Sequence, residues 1–359
     1  MEGKPTIQQI LLEGVTRQAS DIHVKAGVPP FFRINRELHT APEFGVITDE
    51  DAKRFLREIT SVDQRSSFYE EQELDFSYDP PGVGRFRVNA YLQLGTISIA
   101  FRWVRIEIPT LEKLGLPLIC QDLALKRDGM VILTGPTGCG KSTTLAAMLG
   151  YMNGIVKRNI ITIEDPVEFL HNDDKCTFSQ REVGVDTHSF ANALKHVLRQ
   201  DPDVILIGEM RDPETMSIAL TAAETGHLVL TTLHTPSASE AVDRFVDAFP
   251  PYQHQQVRLQ LSTTLEAILY QALIPRADGT GVIPAVEVLI ATPAIRNLIR
   301  EAKTYQMQNF MHTGQDVGMR TLDQALIELH QRGLISREEA YSRLRSKENI
   351  GAQGNVRRS

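Results

Sequence analysis

Cysteine is scarce in this chain: three occur, Cys120, Cys139 and Cys176, none in CxxC spacing. That argues against a disulfide framework and against a structural zinc knot. Aromatic residues make up 6% of the chain, with Trp103 the single tryptophan. A stacking platform for single-stranded nucleic acid would need more. Positive charge is not in excess either. Against 38 Lys and Arg stand 45 Asp and Glu, a formal net charge of −7. Duplex binding runs on cations that neutralise phosphates, so nucleic acid is not an expected partner. No apolar run reaches the ~20 residues a membrane span requires. The opening Met-Glu-Gly-Lys-Pro lacks a signal-peptide apolar stretch, so the expected location is the cytoplasm.

What is present is an ordinary globular composition, 42% hydrophobic and 23% charged, over 359 residues. That length favours two domains. Ile7, Ile10, Leu11 and Val15 recur at helical spacing, and Thr48 is placed to cap a helix that buries Ala52, Phe55, Leu56 and Ile59. Strands are expected near 22–24 and 31–34. Residues 85–104 read as a β-hairpin turning at Leu94-Gly95, with Phe86, Val88, Ala90 and Leu92 facing Trp103, Phe101, Ile99 and Ile97. From Met130 the pattern changes to apolar strands (130–134, 159–163, 203–207, 228–232) alternating with helices (141–152, 189–199, 213–225). That is an α/β fold with a parallel sheet covered on both faces. The expected organisation is a smaller α+β domain over 1–108, a linker over 109–120, the α/β domain over 121–346 and a disordered tail over 347–359.

Gly135-Pro136-Thr137-Gly138-Cys139-Gly140-Lys141-Ser142 fits G-x-x-x-x-G-K-[ST] and lies between a buried strand and a helix. Glycines let the backbone wrap phosphates closely, and successive N–H groups point inward at a helix start. Lys141 is expected on the β- and γ-phosphates of ATP and the Ser142 hydroxyl on Mg²⁺, with Thr143 completing the nucleotide contact set. Two later strands end in carboxylates, Glu209 after 204–207 and Glu164 after 160–163. In an open α/β sheet the ligand sits outside the carboxyl ends of the strands, so either could hold Mg²⁺ through water or polarise the attacking water. The strand read over 227–234 carries histidines at both ends. His234, past its carboxyl end, is a candidate γ-phosphate sensor, and His227 a second candidate.

Four boxes occur in order: GPTGCGKS (135–142), TIEDPVEF (162–169), ILIGEMRD (205–212) and TGHLVLTTLHT (225–235). They resemble the Walker A, Asp, Walker B and His boxes of the secretion-superfamily ATPases. Within that superfamily AIRNLIRE (294–301) and GRFRVNA (84–90) resemble the PilT family of type IV pilus retraction motors, and the likeness covers about residues 5–345. It implies a PAS-like N-terminal domain, a RecA-like ATPase domain, and a homo-hexameric ring at the cytoplasmic face of the inner membrane. It further implies a PilC-like platform protein as partner, with pilin acted on indirectly. Cys139 stands where relatives carry another small residue, and Gln93 where many have an arginine. Residues 103–107 are closer to the accessory paralogue PilU.

An extension or type II secretion ATPase of the same superfamily is the alternative. Such proteins typically carry a four-cysteine zinc site, for which this chain lacks the cysteines. Arg296 and Arg300 are four apart, on one face if 294–301 is helical. That spacing alone fits a surface helix with two solvated arginines, whereas the resemblance implies that this segment couples turnover to retraction. In the hairpin the register places Arg87 opposite Arg102, with Arg85 on the same face. Like charges facing across a ladder need compensation. A carboxylate such as Glu73 or Asp75 could supply it, or the three could serve ATP as arginine fingers.

Overall fold

Thr6, Thr48 and Ser61 each accept a hydrogen bond from the N–H three residues on, and Gln9, Asp51 and Gln64 return one to the cap. Such boxes fix where a helix begins. The helices they start are Ile7–Thr16, Asp49–Ile59 and Val62–Glu71. The computed structural model describes residues 5–34, 37–104 and 108–345, and the chain divides into two units, Met1–Glu107 and Ile108–Ser359.

In the first unit six antiparallel strands form one sheet: β1 (Asp21–Lys25), β2 (Phe31–Ile34), β3 (Glu37–Thr40), β4 (Glu73–Tyr78), β5 (Arg85–Gln93) and β6 (Thr96–Val104). Their order is β3-β2-β1-β6-β5-β4. Ile22, Phe32, Phe55, Phe86, Val88 and Phe101 are among the residues of its core. The β5–β6 turn has positive φ at both Leu94 and Gly95, the geometry that matches the twist of paired strands. Gln93 pairs with Thr96 and Arg87 with Arg102, the register the alternation implied. The compensating carboxylate is neither of the two expected. Asp21, opposite Arg102 on β1, accepts from its Nε at 2.8 Å. Asp75 instead accepts from Asn89, and Glu73 lies opposite Tyr91. Only residues 103 and 104 of the 103–107 segment fall within the described residues, as the end of β6.

The second unit holds a seven-stranded sheet: β7 (Gly129–Thr134), β8 (Asn159–Glu164), β9 (Thr177–Glu182), β10 (Val204–Ile207), β11 (Leu228–Leu233), β12 (Leu265–Pro275) and β13 (Val282–Ile290). The order is β13-β12-β7-β11-β10-β8-β9, parallel throughout except for the β12–β13 pair. β7, β10 and β11 are buried along their whole length, which is why they read as unbroken apolar runs. The sequence pattern missed β9, an edge strand with polar residues. The stretch expected as a linker belongs to this unit: Leu111 and Cys120 are buried in its core beside Val131 and Leu149. The expected tail, 347–359, lies outside the described residues.

Candidate nucleotide site

The carboxyl ends of β7, β11, β10 and β8 lie side by side, and each carries one of the sequence candidates. β7 runs into the glycine loop, and the helix Lys141–Asn153 leaves it. Gly140 is the N-cap of that helix and offers no side chain, so its first-turn N–H groups are left to a ligand. The Lys141 ammonium donates to the carbonyls of Gly135 and Pro136 at 3.0 and 3.1 Å. Phosphate oxygens would compete for that buried cation on favourable terms, because a charged acceptor holds it more strongly than a carbonyl.

Glu164, at the end of β8, accepts a hydrogen bond from the Thr162 hydroxyl at 2.7 Å and a longer one from Gln180 at 3.5 Å. Burial pushes its carboxyl up to about 7, against the pull of those two donors. It lines a cavity of about 20 Å³ together with Ser142, Leu206, Gly208 and His171. That is room for about one water molecule. Burial holds the His171 imidazole down to about 4, so it is neutral at pH 7, stacked 4.5 Å from the Phe178 ring.

Glu209 follows β10. Arg211 pairs with it at 2.8 Å, and His234 Nε2 lies 3.8 Å from its other oxygen. Partial burial lowers the His234 pKa, as does the nearby Lys141 cation, which favours the neutral ring. The structure therefore brings His234, Glu209 and the loop lysine together. His227 is not with them. It lies at the opposite end of β11, where its Nδ1 meets the Ala222 carbonyl at 2.9 Å and the Thr225 hydroxyl at 3.2 Å. A histidine before a strand and one after it are separated by the strand's length, so the expectation that places His227 with His234 at the nucleotide end of the sheet is corrected: it lies at the other end.

Arg296 and Arg300 also differ in surroundings. Arg296 donates to the carbonyls of Ser262 and Thr263 and pairs with Glu266 at 2.7 Å, closing the end of the helix His254–Thr264. Among the described residues Arg300 makes only longer contacts, 3.5 Å to Ser262 Oγ and 3.3 Å to Asn297, beside exposed Tyr252 and Leu259. Arg85, Arg87 and Arg102 lie in the first unit.

Sequence reading missed Gln271 altogether. Its side chain reaches the glycine loop from β12, and it lines a cleft of about 420 Å³ with Gly140, Thr143 and Thr144. The signal was available: one amide within the apolar run Ile268-Leu-Tyr-Gln-Ala-Leu-Ile274. It also missed Thr235, whose hydroxyl meets that of Thr134 at 2.7 Å and ties the His box to the strand before the loop.

Residues 117–350 match the type II/IV secretion system protein family. The chain belongs to that family, in its PilT branch. It is 46% identical to the type IV pilus retraction ATPase PilT of Pseudomonas aeruginosa over 347 residues, 96% of this chain and 99% of that one. It is 41% identical to the type IV pilus ATPase PilU of the same organism, over 96% of this chain and 90% of that one. A crystal structure of the pilus retraction motor PilT with bound ADP superposes with a TM-score of 0.90 at 44% identity, covering 96% of this chain and 98% of that one. This member of the PilT branch is accordingly a nucleotide-binding ATPase with a RecA-like core preceded by an α+β unit. Among the described residues no helix is long and apolar enough to cross a membrane.

Proposed function

We propose that this chain is the ATP-hydrolysing motor of type IV pilus retraction, working as a homo-hexameric ring at the cytoplasmic face of the inner membrane against a PilC-like platform protein. The observation that carries the reading is the end-to-end likeness to a retraction ATPase in a chain whose loop, Glu164 and Glu209 are all in place. ATP lies with its phosphates in loop 135–143, Lys141 neutralising the β- and γ-oxygens. The oxygen donors Ser142 and Glu209 suit a hard cation, and Mg²⁺ commonly takes few protein ligands beside water and phosphate. When bound, Mg²⁺ neutralises charge on the transferring phosphoryl group. Glu164 takes the proton of the attacking water, for which a carboxyl titrating near neutrality is matched. His234 reports the γ-phosphate to the β11 end through Glu209 and the loop.

Arg296 and Arg300 pass turnover to the partner, and Arg85, Arg87 and Arg102 supply positive charge to the γ-phosphate, from the same chain or a neighbour. The likeness to PilU supports a second reading, an accessory retraction ATPase. A deletion strain decides: hyperpiliated, non-twitching cells are expected of a retraction motor. Bald cells would overturn retraction in favour of extension. Hyperpiliated cells that are restored by excess of a second retraction ATPase would favour the accessory role.

A further inference from the structure

Gln271 is 3% exposed, and both ends of its amide are engaged. Nε2 donates to the Cys139 carbonyl at 2.6 Å, and Oε1 accepts from the Thr144 hydroxyl at 2.8 Å. The orientation is dictated by chemistry: a carbonyl can only accept, so the NH₂ must face Cys139, while the hydroxyl adapts. One side chain thus joins β12 to the last turn of the loop and the first turn of the following helix.

Two glycines of the loop are shaped by the same residue. A Cβ on Gly135 would lie 2.4 Å from the Gln271 carbonyl oxygen, and one on Gly140 3.0 Å from its Nε2. Both have positive φ, 144° and 87°. A Cβ on Gly138 would meet nothing within 4 Å. So Gly135 is required by close approach to the Gln271 backbone, and Gly140 by its positive φ, with the Gln271 amide tight against it.

We infer that Gln271 is a positioning residue for nucleotide binding, clamping the Cys139 carbonyl outward so that the loop N–H groups face the phosphates before the nucleotide arrives. A peptide unit turns as a plane, so holding the carbonyl of residue 139 also aims the N–H of Gly140. Without the clamp, part of the binding free energy is spent ordering the loop. Because Gln271 touches neither the reacting phosphorus nor the water, its loss weakens ATP and ADP alike, raising KM more than it lowers kcat. The inference rests on the nucleotide reading of the loop.

The test compares the full-length chain with Gln271→Met, which keeps volume but loses both hydrogen bonds, and Gln271→Glu, using fluorescent ADP from pH 5.5 to 8.5. Gln271→Met should weaken ADP about tenfold, the effect of leaving one buried carbonyl unpaired, with thermal unfolding recorded alongside. In Gln271→Glu the protonated acid can still donate to Cys139, whereas the ionised form opposes one oxygen lone pair to another. Its affinity relative to the unsubstituted chain should therefore fall as pH rises. At low pH, where no charge repels the phosphates, it should exceed that of Gln271→Met, a rescue that a merely space-filling residue would not produce. Wild-type affinity in Gln271→Met, or a pH-independent ratio for Gln271→Glu, overturns the inference. Failure of the unsubstituted chain to bind ADP would instead count against the nucleotide site itself.

Discussion

The Thr162 hydroxyl donates to Glu164 Oε1 at 2.7 Å, from two residues earlier on the same strand. It partly stabilises the carboxylate, yet burial dominates and the carboxyl titrates at about 7. As a base Glu164 works only when ionised. Turnover should rise with pH through about 7 and level off above it, and Glu164→Gln should lose the limb along with about two or more decades of kcat. ADP binding by that variant should persist. Phosphate release against pH is the measurement, and a flat profile from pH 6 to 8 would assign the proton to another group.

The Lys141 ammonium holds two loop carbonyls as well as its expected ligand, so its removal disturbs both the loop and the phosphates. Lys141→Ala should abolish ADP binding by calorimetry. Glu209→Gln should keep binding and lose turnover. Its amide could still face Arg211 and His234 but could not serve Mg²⁺ as a carboxylate. Turnover near wild type in Glu209→Gln would leave Glu164 as the one required carboxylate.

Arg102 is occupied by Asp21, which makes Arg87 the cleaner probe of the hairpin arginines. Arg87→Ala should lower kcat about tenfold or more with ADP affinity nearly unchanged, the signature of charge supplied to the γ-phosphate. Arg102→Ala is expected to lower kcat as well, and to leave Asp21 without that partner, with a small loss of stability. Unchanged kcat in both would return these arginines to ordinary surface pairing.

Coupling should separate from chemistry at Arg300 more sharply than at Arg296. Arg296→Ala strips two helix-end carbonyls and Glu266 of a donor, so about 1–3 kcal/mol of stability should go with it. Arg300→Ala should unfold like the wild type, hydrolyse ATP at a near-normal rate and abolish twitching. Normal twitching in Arg300→Ala would remove the segment from the coupling path.

Elements whose signal is local were legible. The alternation over 85–104 carried the hairpin and its register, because period-two burial admits no one-residue slip without turning every apolar side chain to solvent. The buried parallel strands were readable as apolar runs. β9 was not, since Thr177-Phe-Ser-Gln-Arg-Glu182 owes its pairing to β8 rather than to any pattern of its own. The 109–120 stretch read as a linker because its apolar residues, broken by Pro109, Gly115 and Pro117, show no regular period, yet Leu111 and Cys120 are held by packing in the core of the second unit.

By itself the sequence determined the glycine loop, with Lys141 and Ser142 at its end, because a contiguous stretch of backbone wraps phosphates by its own conformation. It also determined which strands end in Glu164, Glu209 and His234. Only the tertiary structure decided how those groups are tuned. Burial that raises the Glu164 carboxyl is the work of neighbours from other elements, and the exclusion of His227 follows from the direction of β11. Asp21 meets Arg102 across 81 positions, and Gln271 reaches Cys139 across 132. Electrostatics and hydrogen bonding act through space, and no spacing along the chain records which distant residue will be brought within 3 Å.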